Sequence, residues 1–103
     1  MILLNRPFKL KDFLRFYNSE VQLICADGGA NRLYSADPSI RPDLIIGDFD
    51  SVKPDKIKYY SATGTIIQKD DCQDTTDLEK CLKHLTGFTG KIIVYGAFGG
   101  RID

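Results

Sequence analysis

The chain alternates short apolar runs with segments in which apolar residues recur every three or four positions. Runs of the first kind predict buried strands, and segments of the second kind predict amphipathic helices. Five strands are predicted, at residues 1–4, 21–26, 43–48, 65–68 and 91–95. Because strands and helices alternate, we expect an α/β domain with a mostly parallel sheet and right-handed crossovers.

A helical segment follows each of the first four predicted strands. Their apolar positions are Leu10, Phe13, Leu14 and Tyr17; Leu33 and Tyr34; Ile57 and Tyr60; and Leu78, Cys81, Leu82 and Leu85. Pro54 is placed to begin the third helix, and Gly87 is placed to end the fourth. At the start of the fourth helix, Asp74 is the expected N-cap residue and Asp77 the expected N3 residue.

Length and composition narrow the class of protein. A chain of 103 residues with 43% hydrophobic residues is sufficient for one globular domain. Fourteen basic residues balance fourteen acidic ones, so no net field favours a nucleic acid or an anionic membrane as partner. Three cysteines without CxxC spacing argue against a disulfide framework or a structural zinc site. No apolar run approaches the length of a membrane span, and we expect a soluble, cytoplasmic protein.

Two aspartates follow the third predicted strand, in the sequence Gly47-Asp48-Phe49-Asp50-Ser51. Open α/β sheets bind their ligands at the carboxyl ends of the strands, which is where these side chains would lie. Both carboxylates can turn toward one cation if the backbone leaves the strand here, and such oxygen ligands suit Mg²⁺ with a phosphate substrate. The alternative is an ordinary solvated turn, since Asp and Gly are common in loops.

Three further polar loops follow predicted strands, at residues 27–31, 73–77 and 96–103. Glycines in the first of them either let the backbone approach a ligand or form a tight turn. Aspartates in the second either contribute to the site or complement the dipole of the following helix. In a parallel sheet the loops converge on one edge, where five carboxylates would repel one another, so we expect raised pKa values or a bound metal, and favour the metal. The five are Asp27, Asp48, Asp50, Asp74 and Asp77.

Four segments together resemble the catalytic domain of thiamine pyrophosphokinase, in both order and spacing. They are residues 26–31, 47–51, 73–77 and 99–103, and the resemblance extends over the whole chain, residues 1–103. Each motif alone is weak, but their conjunction is specific. The resemblance implies a three-layer, Rossmann-like domain that transfers the pyrophosphoryl group of ATP to thiamine with Mg²⁺, giving thiamine diphosphate and AMP.

The resemblance also implies roles for individual residues. Asp48, Asp50 and Asp77 would bind Mg²⁺, and with Arg101 and Asp103 they would form the catalytic set. The residues implied at the nucleotide are Asp27, Gly28, Gly29, Asn31, Gln73, Asp74, Thr76, Gly99 and Gly100. Transfer of this kind needs positioning and charge neutralisation more than covalent chemistry, which agrees with this set. The sequence leaves open whether Asp50 or Asp77 accepts the thiamine proton.

Members of this family continue beyond the Gly-Gly-Arg-x-Asp motif into a β-rich second domain that contributes to thiamine binding, usually within a homodimer. The resemblance therefore implies that the chain is truncated at its C-terminal end. We expect nucleotide binding by the chain alone, with weak or no thiamine binding and little turnover.

Two other functions compete with this interpretation. Asp48-Phe49-Asp50 also resembles the nucleophile motif of a metal-dependent phosphohydrolase, although that function gives the two glycine loops no clear role. A noncatalytic nucleotide-binding module is the second alternative. The products separate the three, because a pyrophosphokinase releases AMP, a phosphohydrolase releases phosphate, and a binding module releases neither.

Overall fold

The structure, a computed structural model, describes residues 1–18, 20–72, 76–85, 93–95 and 101–102. The strands are β1 (Ile2–Leu3), β2 (Ile24–Ala26), β3 (Leu44–Gly47), β4 (Ile66–Lys69), β5 (Val94–Tyr95) and β6 (Arg101–Ile102). The helices are α1 (Leu10–Leu14), α2 (Gly29–Ala36), α3 (Pro54–Ala62) and α4 (Asp77–His84). They form one sheet in the order β4-β3-β2-β1-β5-β6.

The five predicted strands are confirmed, and neighbouring strands among β1 to β5 pair in parallel. The expectation of a loop throughout residues 96–103 is wrong at Arg101–Ile102, which form β6. This strand pairs antiparallel with β5, placing Arg101 opposite Tyr95. This pairing satisfies the backbone N–H and C=O groups on the edge of β5 that does not face β1. A segment of two residues is too short to show a strand periodicity in the sequence.

Side chains of the central strands alternate between two apolar layers. One layer contains Leu3, Cys25 and Ile45, packed with Phe13 of α1, Leu33 of α2 and Tyr60 of α3. The other contains Ile2, Ile24 and Leu44, packed with Cys81 of α4. Because helices cover both faces of the sheet, the predicted three-layer α/β architecture is confirmed.

Helix α4 begins later than the sequence suggested. Its N-cap residue is Thr76 and not Asp74, and Asp77 is its first residue and not its third. The Thr76 hydroxyl accepts a hydrogen bond from the Glu79 N–H at 3.1 Å, and a Glu79 carboxylate oxygen accepts one from the Thr76 N–H at 3.4 Å. This capping box satisfies two backbone donors at once. The favoured pair for it is a Ser or Thr at the N-cap with a Glu or Gln at N3, which Thr76 and Glu79 provide and Asp74 and Asp77 do not.

Two adjacent glycines allow the start of α2 to lie close to the end of β1. A Cβ atom on Gly29 would collide with the Leu3 carbonyl oxygen, and one on Gly28 would collide with the Asn5 side chain. The structure therefore gives both glycines a packing function. Their predicted approach to a nucleotide stays a prediction.

Within the ranges given above, no helix has the length and apolar character needed to cross a bilayer.

Candidate metal centre

Strands β2 and β3 are neighbours whose carboxyl ends lie level, with Ala26 opposite Ile46. The chain therefore delivers Asp27 and the segment from Asp48 to Asp50 to the same edge of the sheet. One carboxylate oxygen from each of Asp27, Asp48 and Asp50 lies within 4.8 Å of the other two. The predicted convergence of these two loops is confirmed.

Asp27 is the buried member of this group, with 2% of its surface exposed. Its Oδ1 accepts hydrogen bonds from the backbone N–H groups of Ser51 at 3.2 Å and Val52 at 2.8 Å. Its own N–H donates to the Ile46 carbonyl at 2.8 Å, which extends the pairing of β2 with β3. Asp27 thus ties the end of one strand to the loop that follows the next.

Asn31 of α2 makes a second tie to the same loop. Its Nδ2 donates to the Ser51 carbonyl at 3.0 Å, and its Oδ1 accepts from the Lys53 N–H at 3.1 Å. Both ends of the amide are therefore engaged with backbone. The structure assigns Asn31 to holding the loop, and its predicted contact with nucleotide is untested.

The backbone leaves the strand between the two loop aspartates, as the metal interpretation requires. Phe49 has φ 65°, the left-handed region that a bulky residue rarely adopts, and its ring packs against the apolar layer beneath α1 to α3. Gly47, with φ 150°, passes so close to Asp27 that an added Cβ would lie 3.0 Å from the Asp27 Cβ. The left-handed conformation at Phe49 costs on the order of 1–3 kcal/mol and persists because surrounding contacts impose it, whereas glycine adopts a positive φ without this cost.

Hydrogen bonds within the loop fix its carboxylates further. Asp48 Oδ1 accepts from the Asp50 N–H at 3.2 Å, and the Ser51 hydroxyl donates to Asp50 Oδ1 at 3.1 Å. Asp50 is exposed and Asp48 is half-buried. The cluster therefore has a buried floor at Asp27 and a rim open to solvent.

The pKa values report the crowding of carboxylates. Burial, followed by the neighbouring Asp48, raises the pKa of Asp27 to about 6, although the Val52 N–H acts in the opposite direction. Burial also raises the pKa of Asp77, with contributions from Asp48 and Asp50 and an opposing effect of Lys80. Asp77 at the start of α4 therefore lies within electrostatic range of the loop aspartates.

Asp27 was expected in the converging group of five carboxylates, and the family resemblance implied a place for it at the nucleotide. In the structure its carboxylate lies beside those of Asp48 and Asp50, and a contact with the nucleotide stays a prediction. The metal-ligand roles of Asp48, Asp50 and Asp77 stay predictions, and Thr76 is engaged as the N-cap of α4. The predicted site residues outside the described residues are Gln73, Asp74, Gly99, Gly100 and Asp103, and of Arg101 only the backbone is described, in β6.

Asp27→Asn is expected to change how stability depends on pH in metal-free protein. Because the folded-state pKa of Asp27 lies above its ordinary value of 3.8, its ionisation opposes folding as pH rises from about 4 to about 6. Asparagine keeps an oxygen for the Ser51 and Val52 N–H groups but does not titrate. Between pH 4 and pH 7 the free energy of unfolding of the wild type should fall by roughly 1 to 3 kcal/mol relative to that of the variant. Urea unfolding in EDTA at several pH values measures this, and parallel pH profiles would contradict it.

The fold and the site define an α/β domain with a group of carboxylates at the carboxyl ends of two adjacent parallel strands, the place where open α/β sheets bind their ligands. A family model described as "Thiamin pyrophosphokinase, catalytic domain" matches residues 13–103. The chain belongs to this family.

Individual relatives agree with the family match. The chain is 41% identical to thiamine pyrophosphokinase 3 of Oryza sativa subsp. japonica, over 78% of this chain and 38% of the relative. It is 34% identical to thiamine pyrophosphokinase 1 of Arabidopsis thaliana, over 100% of this chain and 46% of the relative. The crystal structure of thiamin pyrophosphokinase from Candida albicans superposes with a TM-score of 0.73 at 32% identity, over 84% of this chain and 32% of that one. The chain spans less than half the length of these relatives.

Proposed function

We propose that the protein transfers the pyrophosphoryl group of ATP to the hydroxyl group of thiamine, producing thiamine diphosphate and AMP. The observation that supports this most directly is the group formed by Asp27, Asp48 and Asp50, whose carboxylate oxygens lie within 4.8 Å of one another. It lies at the ligand-binding edge of a domain of the thiamin pyrophosphokinase family. A hydrolase or a binding module would have no need of thiamine.

The donor set fits Mg²⁺, which prefers carboxylate oxygens and commonly binds through one or two carboxylates together with substrate phosphates. Asp48 and Asp50 would hold the ion, with Asp27 or Asp77 completing the set. When bound, Mg²⁺ neutralises negative charge on the phosphates. The chain itself contributes position: Asp27 and Asn31 hold the backbone at Ser51, which keeps both loop carboxylates in place.

The remaining site residues belong to the same proposal. Arg101 would stabilise charge on the transferring group, because a guanidinium forms paired hydrogen bonds with phosphate oxygens. Gln73, Thr76 and Asp103 would line the nucleotide and transfer site, as the family resemblance implies.

A cytoplasmic homodimer is the proposed state of the complete enzyme. Cys25 and Cys81 are buried free thiols, which agrees with a reducing compartment. The homodimer rests on the family resemblance, and sedimentation of the complete enzyme would test it.

Product analysis tests the proposed activity. The complete enzyme is incubated with ATP, Mg²⁺ and thiamine, and the products are separated by chromatography. We expect AMP and thiamine diphosphate in equal amounts, both absent when thiamine is omitted. Release of phosphate without thiamine would indicate a phosphohydrolase, and ATP binding without turnover would indicate a noncatalytic module.

Mg²⁺ and ATP together are expected to raise the melting temperature more than the sum of their separate effects. The carboxylate group and the nucleotide phosphates share the ion, so each ligand strengthens binding of the other. Thermal scans with ATP, Mg²⁺, both, and ATP with EDTA measure this. An equal shift by ATP in EDTA would remove the shared metal from the proposal.

A further inference from the structure

The three carboxylates of the candidate metal centre share one feature: in each of them, Oδ1 accepts a hydrogen bond from the loop that follows β3. Asp27 Oδ1 accepts from the backbone N–H groups of Ser51 and Val52. Asp48 Oδ1 accepts from the Asp50 N–H, and Asp50 Oδ1 accepts from the Ser51 hydroxyl at 3.1 Å. The loop therefore holds one oxygen of every carboxylate in the group.

A carboxylate that is held at one oxygen is suited to coordinate an ion through a single oxygen. Coordination through both oxygens would require Oδ1 to turn toward the ion and away from its donor. This distinction separates two common divalent ions. Mg²⁺ requires an octahedral arrangement of ligands at about 2.1 Å, whereas the larger Ca²⁺ takes more ligands and binds carboxylates through one oxygen or both. The hydrogen bonds at Oδ1 therefore favour Mg²⁺.

Ser51 supplies the one side-chain donor among these hydrogen bonds, and the other donors are backbone N–H groups. Its backbone is engaged as well, because its N–H donates to Asp27 and its carbonyl accepts from Asn31 Nδ2 at 3.0 Å. The residue is exposed. A substitution that removes the hydroxyl therefore acts on Asp50 and leaves the backbone bonds of the loop in place.

We propose that the Ser51 hydroxyl determines the metal preference of the centre, by restricting Asp50 to coordination through one oxygen and so favouring Mg²⁺ over Ca²⁺. The inference rests on the proposed function, in which the ion joins the carboxylates to the phosphates of ATP. Asp50 is exposed at the rim, so without the hydroxyl its carboxylate gains freedom to rotate. Asp27 does not have this freedom, because it is buried and held by two N–H groups.

Titration calorimetry of wild type, Ser51→Ala and Ser51→Thr tests the proposal, with MgATP and CaATP as the two probes. We expect the wild type to bind MgATP at least about tenfold more tightly than CaATP. In Ser51→Ala the Kd for MgATP should rise about tenfold, since a hydrogen-bonding partner of a metal ligand is lost, whereas the Kd for CaATP should change little. Threonine keeps a hydroxyl, so Ser51→Thr should retain most of the preference for Mg²⁺.

Ser39→Ala is the matched control. The Ser39 hydroxyl donates to Asp37 Oδ1 at 2.6 Å, which is the same kind of hydrogen bond at the C-terminal end of α2, whereas Asp27 precedes the N-terminal end of that helix. This variant should bind both probes like the wild type. The melting temperature of Ser51→Ala in EDTA should match that of the wild type, because the backbone bonds of Ser51 remain.

The ratio of the two Kd values decides the proposal. A hydroxyl that only steadied the loop would, when removed, weaken binding of MgATP and CaATP equally, and an unchanged ratio in Ser51→Ala would therefore overturn the proposal. Equal affinity of the wild type for the two probes would overturn it too. In both cases the proposed function stands. Failure of the wild type to bind MgATP would instead contradict the proposed function, and this inference with it.

Discussion

Replacing Asp48 or Asp50 with asparagine is expected to lower the rate of pyrophosphoryl transfer by the complete enzyme at least about a thousandfold. Asparagine preserves the shape of the side chain and an oxygen, but it removes a charge that a divalent ion needs. Hydrogen bonding within the loop would survive, since an amide oxygen can still accept from the Asp50 N–H or the Ser51 hydroxyl. The loss should therefore appear in turnover and not in folding.

Stability provides the second measurement for these variants. In the absence of metal, removing one carboxylate relieves repulsion within the cluster, so the melting temperature in EDTA should equal or exceed that of the wild type. Asp55→Asn is a suitable control, because Asp55 is an exposed residue whose ion pair with Lys56 lies on α3, away from the cluster. Normal turnover in Asp50→Asn would show that Asp50 is not a ligand.

Much of the fold could be predicted because its signals are local. The run Leu44–Gly47 is apolar, short and bounded by polar residues, which leaves little besides a buried strand. Pro54 begins α3 as expected, since proline suits the first turn of a helix. The antiparallel strand Arg101–Ile102 could not be predicted, because a two-residue strand depends on a free sheet edge and leaves no pattern in the sequence.

The site was predictable to the extent that it follows from parallel topology. Strand ends collect at one edge, so Asp48 and Asp50 could be placed there from the sequence alone. Asp27 was expected in the same group, but its close approach to Asp48 and Asp50 depends on β2 and β3 being neighbours in level register, which the order of the chain does not determine.

The loop aspartates are held by residues that had been assigned other roles. Asp27 and Asn31 together make four hydrogen bonds to the backbone of Ser51, Val52 and Lys53. These bonds offset the cost of the unfavourable conformation at Phe49 and keep the loop from relaxing into an extended strand. A substitution at Asn31 would thus act on the proposed metal ligands at a distance, through the loop.

Gly29→Ala is expected to destabilise the protein by roughly 2 to 3 kcal/mol, lowering the melting temperature by about 10 °C or more. The added methyl group would collide with the Leu3 carbonyl oxygen, which belongs to the backbone of β1. Because β1 is paired on both sides, with β2 and β5, it cannot retreat without disturbing the centre of the sheet. Helix α2 would have to move outward instead, taking Asn31 with it.

Gly28→Ala is the matched control for this effect, since the two glycines are adjacent. There the methyl group would meet the Asn5 side chain, which can rotate away at the cost of its hydrogen bond from Arg32 Nε at 3.2 Å. That loss is about 1 kcal/mol. Urea unfolding of the two variants measures the difference, and movement of α2 should also weaken the response of Gly29→Ala to Mg²⁺ with ATP. Equal stability of the two variants would show that β1 yields more easily than its pairing on both sides suggests, and that the close approach at Gly29 is not what fixes the position of α2.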